Sequence, residues 1–171
     1  MTLRLSRRFD SITRVLVPAV LGMVLVLVST IPFHITGFGP VAPNFVLIAV
    51  FYWGVHWVYF FSNTAVFFIG LLLDILVGTP PGLNAIVLVL VRAIAVSQGK
   101  VFRGKPFIVL WLGFGLIALL AGTMVWALNL LYHLTIFNPL PIIFQMAMTI
   151  AVFPLLAWVF AQTQQKLFKK I

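Results

Sequence analysis

The sequence predicts an all-α integral membrane protein of about six transmembrane helices. Three observations predict it. Hydrophobic residues fill 63% of the 171 positions and charged residues only 8%, which is far beyond the apolar share of a soluble domain. The apolar residues come in runs bounded by Gly, Pro, Asn or charge, each close to the about 20 residues that carry a helix across a bilayer. The basic residues fall into three groups that six spans place on one side.

Arg4, Arg7, Arg8 and Arg14 precede the first apolar run, 15–33. That run is longer than the core of a signal peptide and has no small-x-small cleavage site before His34, so it reads as a retained span. HITGFGPVAPN (34–44) breaks the pattern, and Pro43 and Asn44 open a second span, 43–59. HWVYFFSN (56–63) separates it from a third, 61–78; the combined length suits two short spans better than one. GTPPG (78–82) turns the chain into span four, 83–97. QGKVFRGKP (98–106), with Lys100, Arg103 and Lys105, leads to span five, 107–133. TIFNPLP (135–141) leads to span six, 141–161, followed by Lys166, Lys169 and Lys170. The loops on the opposite side carry no Lys or Arg, so the positive-inside rule sets both termini in the cytoplasm. Tyr52, Trp53, Trp57, Tyr59, Trp111 and Trp158 fall near the same span ends, where an interfacial aromatic belt belongs. A single polytopic domain accounts for residues 1–171.

The net charge of +9 is spread over juxtamembrane segments, a pattern that suits anionic lipid and not nucleic acid. Cysteine is absent, which excludes disulfides, thiolate metal sites and a cysteine nucleophile. The two acids, Asp10 and Asp74, are too far apart to work as a pair, and His34, His56 and His133 sit at span ends on both sides of the membrane. No phosphate loop, dinucleotide fingerprint, HExxH or GxSxG is present. A protein without enzymatic activity, cofactor or metal is expected.

Two residues remain to be explained, Asp74 and Arg92, because a charge at membrane depth costs about 2.5–3.5 kcal/mol on insertion scales and so turns toward a partner inside the protein. Gly70, Asp74 and Gly78 recur at i, i+4 and i+8, one face of span three on which another helix can approach closely. Asp74 also sits near the carboxyl end of its helix, where the macrodipole disfavours an anion. The free N–H groups at the start of span four, around Leu83, Asn84 and Ala85, could cap it. Arg92 is the other available partner, but at 1.5 Å per residue it lies roughly 14 Å below the end of span four, against about 6 Å for Asp74, and it can snorkel the other way. A structural clasp is the favoured role for Asp74, with an ion or substrate role as the alternative.

PNFVLIAVFYW (43–53) followed by GLLLDILVGTPPG (70–82) resembles the signature of the rod shape-determining protein MreD family. Pro43 and Asn44 open span two, an aromatic pair closes it, and Gly70, Asp74, Gly78 and Gly82 form G-x-x-x-D-x-x-x-G-x-x-x-G around the next hairpin. Arg92 is not part of that pattern. The resemblance implies a non-enzymatic inner-membrane component of the bacterial elongation machinery. Its implied partners are an MreC-like single-span protein, an MreB-like filament, a RodA-like glycosyltransferase and a class B transpeptidase. It also implies a fold similar to the six-helix substrate-binding subunits of energy-coupling-factor vitamin transporters. Three roles then compete. A scaffold would hold partner helices through small residues such as Gly22, Gly70, Gly78, Gly113, Gly115, Ala118 and Gly122, although packing within one chain would explain any single one equally well. A vitamin-binding subunit needs a polar pocket, and a proton-coupled carrier needs a chain of buried ionisable groups.

Overall fold

The computed structural model describes residues 24–29, 33–35, 39–56, 62–102, 104–134 and 138–168. Within them the chain runs through a helical segment α1 (24–29), strands β1 (Phe33–Ile35) and β2 (Gly39–Val41), and helices α2 (Phe45–His56), α3 (Asn63–Val77), α4 (Leu83–Phe102), α5 (Phe107–His133) and α6 (Leu140–Phe168). Most of the expected first span lies outside the described residues, as do the amino-terminal arginines, Gly22, Trp57, Tyr59, Arg103, Lys169 and Lys170.

The chain is a multi-pass membrane protein with several long apolar helices. α4, α5 and residues 140–162 of α6 are long and apolar enough to cross a bilayer. The large apolar side chains Phe68, Ile75, Leu112, Leu116 and Leu155 point away from the core, an exposure that suits hydrocarbon and not water. Among the described helices three, not six, reach spanning length. α2 and α3 are shorter, with 12 and 15 residues, or about 18 and 22 Å against a hydrocarbon core of about 30 Å.

The all-apolar character of α2 follows from its place. Every residue from Val46 to Val55 is buried, so the helix is apolar on all faces because protein surrounds it. It packs against α4, α5 and α6, while α3 packs on α4, α4 on α5, and α5 on α6. Phe51, Phe114 and Phe153 join three of these helices, Phe114 stacking on Phe153 at 4.2 Å and Phe51 lying 5.3 and 6.0 Å from the two rings. Tyr52 and Trp53, expected in an interfacial belt, are core residues packed on Phe160. A helix walled in by neighbours has no interface to present; Trp158, by contrast, is 64% exposed on α6.

The all-α expectation needs one amendment. The break after span one holds a two-stranded antiparallel hairpin, with Phe33 opposite Val41 and Ile35 opposite Gly39. Pairing of this kind satisfies backbone groups close to the bilayer, where water is scarce. Two helices also outrun their expected ends. α4 continues through Gln98, Gly99 and Lys100 to Phe102, stopping where Gly104 adopts φ +84° and Pro106 follows. α6 continues past 161 to Phe168, because polar side chains end a membrane segment without ending a helix.

Pro154 lies inside α6 and has no N–H to donate to the carbonyl of Ile150. The indole Nε1 of Trp111 on α5 donates to that carbonyl at 3.0 Å. A side chain from the neighbouring helix thus replaces the missing backbone donor.

Candidate functional site

Ser62 caps the start of α3, accepting from Ala65 N at 3.0 Å, and Gly78 closes its end in the left-handed conformation at φ +76°. Gly78 N and Thr79 N both donate to the Asp74 carbonyl, at 2.9 and 3.0 Å. The chain then turns through Pro80, Pro81 and Gly82, whose φ of +96° only glycine adopts without strain. This path brings the start of α4 onto the Asp74 carboxylate.

The carboxylate is completely buried and accepts five hydrogen bonds. Oδ1 accepts from Thr79 Oγ1 at 2.7 Å, Asn84 N at 2.9 Å and Asn84 Nδ2 at 2.8 Å. Oδ2 accepts from Gly82 N at 2.9 Å and Ala85 N at 3.5 Å. Asn84 and Ala85 are the second and third residues of α4, the positions whose N–H groups a conventional N-cap side chain takes. Asp74 therefore caps α4 from the preceding helix, and its charge faces the positive end of that helix dipole. Of the N–H donors the sequence points to, Asn84 and Ala85 are used, whereas Leu83 N donates to the Pro80 carbonyl and Gly82 N takes its place; the side chains of Thr79 and Asn84 add two more, and Asn84 Nδ2 also donates to Thr79 Oγ1 at 3.1 Å.

Arg92 is buried on α4 and is not among the partners of Asp74. Its Nη1 donates to Asn63 Oδ1, at the start of α3 and toward the end of the bundle that carries Lys100 and Lys105. The two buried charged side chains thus bind the same helix pair, Asp74 at the end of α3 and Arg92 at its start. Asn63 carried no mark in the sequence beyond lying in a break.

Pro43 and Asn44 stand beside the clasp. Asn44 caps α2, its Oδ1 accepting from Leu47 N at 2.9 Å, and its own N–H donates to Thr149 Oγ1 on α6 at 2.9 Å. Phe45 N donates to Ser29 Oγ at 3.1 Å, and Gln145 Nε2 to the Ala42 carbonyl at 3.0 Å. Pro43, Asn44, Thr79, Asn84 and Gln145 all line one cavity of about 90 Å³. The two stretches that carry the family resemblance converge there.

The glycines divide by function. A Cβ on Gly70 would sit 2.4 Å from Ala85 Cα, so Gly70 permits the contact between α3 and α4. Gly113 and Gly122 make room for Phe102 and Met146 of the same chain. Gly78 and Gly82 have open space around them and serve conformation instead of packing. Gly115 also has open space around it.

Among the described residues no group of three or more His, Asp or Glu is placed to hold a metal ion. Comparison with family models, curated proteins and solved structures finds no match to this chain.

Proposed function

We propose that this chain is a non-enzymatic scaffold of the bacterial cell-elongation machinery, embedded in the inner membrane with six spans and both termini in the cytoplasm. In this reading it holds an MreC-like single-span partner and, through it, supports the filament, glycosyltransferase and transpeptidase of the complex. The observation that carries the reading is the convergence of the two signature stretches on one end of the bundle, where Pro43 and Asn44 meet Thr79 and Asn84 around a common cavity. Pro43 and Asn44 of the pattern thus share a cavity with Thr79 and Asn84, the residues that hydrogen-bond Asp74.

The internal use of Asp74 supports the same reading. A proton-coupled carrier needs an acid that exchanges its proton with solvent or substrate along a relay. Here the carboxylate accepts five hydrogen bonds, all from residues 79–85. The vitamin-binding alternative needs a polar pocket near the outer surface, and the cavity beside the clasp, at about 90 Å³, is well below the about 300 Å³ at which small-molecule sites begin.

Depletion of the protein from a rod-shaped host tests the proposal, together with recovery of an MreC-like protein on affinity-tagged chain purified from native membranes. Loss of rod shape and co-purification of that partner are expected. Retention of rod shape after complete removal, with the partner's membrane retention unchanged, would overturn the scaffold reading.

A further inference from the structure

At the end of the bundle opposite the clasp, the last turns of α2 and α4, the start of α5 and the second half of α6 enclose a cavity of about 480 Å³. Its volume lies within the range of sites for organic ligands, about 300–1,000 Å³. Lys105 stands exposed at its edge, and Tyr52 and His56 form one wall, their rings stacked at 4.3 Å. His56 Nδ1 donates to the Tyr52 carbonyl at 3.0 Å, which fixes the ring's orientation. Phe107, Leu110, Pro154 and Trp158 supply the apolar remainder.

Three features define what fits. The charge at this end is positive: Lys100 and Lys105 are exposed here, while Asp74, the only acid among the described residues, lies at the other end. The walls combine a cation and two polar rings with hydrocarbon, so the ligand carries an anionic part and an apolar part. Trp158 and Phe107 are 64% and 47% exposed on the membrane-facing surface of apolar helices, so the cavity opens at the depth where headgroup meets acyl chain.

We propose that this cavity binds the headgroup of an acidic phospholipid from the adjoining leaflet, with Lys105 facing the phosphate and the aromatic wall covering the glycerol and upper acyl carbons. Basic pockets between membrane helices hold anionic headgroups by this combination of charge and apolar contact. The proposal does not depend on the scaffold reading.

The test is native mass spectrometry of the full chain, purified in detergent and exposed to equal mixtures of phosphatidylglycerol and phosphatidylcholine. Preferential retention of phosphatidylglycerol is expected. Lys105→Gln should lower that preference about fivefold, the worth of one basic residue beside an anionic group. Lys100→Gln, exposed on α4 but outside the cavity lining, should leave it unchanged. Ala161→Trp, which fills the cavity without altering charge, should abolish the preference in protein whose thermal unfolding is normal. Equal retention of the two lipids would overturn the proposal, as would an equal loss in the two lysine variants, which signifies diffuse surface charge. Displacement of the lipid by the same concentration of glycerol 3-phosphate or inorganic phosphate would also overturn it, in favour of a soluble anion.

Discussion

Asp74 shows how a membrane protein keeps a fully buried carboxylate. Each oxygen is surrounded by donors, and most of those donors are backbone N–H groups that the start of α4 would otherwise leave unsatisfied. One charged side chain thus settles two liabilities, its own burial and an uncapped helix. Asp74→Asn keeps an oxygen for Thr79 and Asn84 but turns an NH₂ group toward the N–H donors of Gly82 and Ala85. It should cost about 1–3 kcal/mol, the usual penalty for an unpaired buried group, and Asp74→Leu should cost more because it strands every donor. Thermal unfolding in detergent should therefore rank wild type above Asn and Asn above Leu. A Leu variant as stable as wild type would show that the clasp contributes nothing.

The helices differ in what their small residues permit. α3 lies so close to α4 that even one methyl group on Gly70 would collide with the backbone of Ala85. Gly115 on α5, beside exposed Leu112, Leu116 and Leu119, has nothing near it. Gly70→Ala should accordingly destabilise the purified chain by about 1–3 kcal/mol through overpacking. Gly115→Leu should leave unfolding unchanged, and if this face of α5 seats the single-span partner it should lower recovery of that partner from membranes. Equal thermal stability of the Gly70 variant and wild type would mean that the close approach is not enforced in the membrane. The sequence marked Gly70 as a contact residue through its four-residue spacing from Asp74, but spacing on one helix does not say which chain supplies the other side.

Across the whole molecule, both ends of the bundle were legible in the sequence to different degrees. The clasp was readable because its parts are local: an acid near the end of one helix, a turn of Pro and Gly, and the start of the next. Contacts between distant residues left no such trace. Trp111 reaches Ile150, Gln145 reaches Ala42, and Asn44 reaches Thr149, and nothing near any of these residues in the chain names its partner. The central position of α2 was hidden for a related reason: an all-apolar run looks the same whether lipid or protein surrounds it. Orientation can be measured directly in this cysteine-free chain. Lys100→Cys should be shielded from a membrane-impermeant thiol reagent in intact cells, and Pro81→Cys, exposed in the hairpin turn, should be labelled. Labelling of the residue 100 variant from outside would invert the topology that the positive-inside rule assigns.

The clasp has a further consequence for how the protein is made. Asp74 and all five of its donors lie within residues 74–85, so the partners are at hand as soon as the turn and the first residues of α4 leave the ribosome. Closing so short a loop is fast and entropically cheap. The hairpin can therefore enter the bilayer with its acid already solvated by its own backbone, before α5 and α6 exist. The long-range bonds that join Gln145 and Thr149 to the start of α2, and Trp111 to Ile150, form afterwards, when the late helices dock beside a hairpin whose acid is already capped.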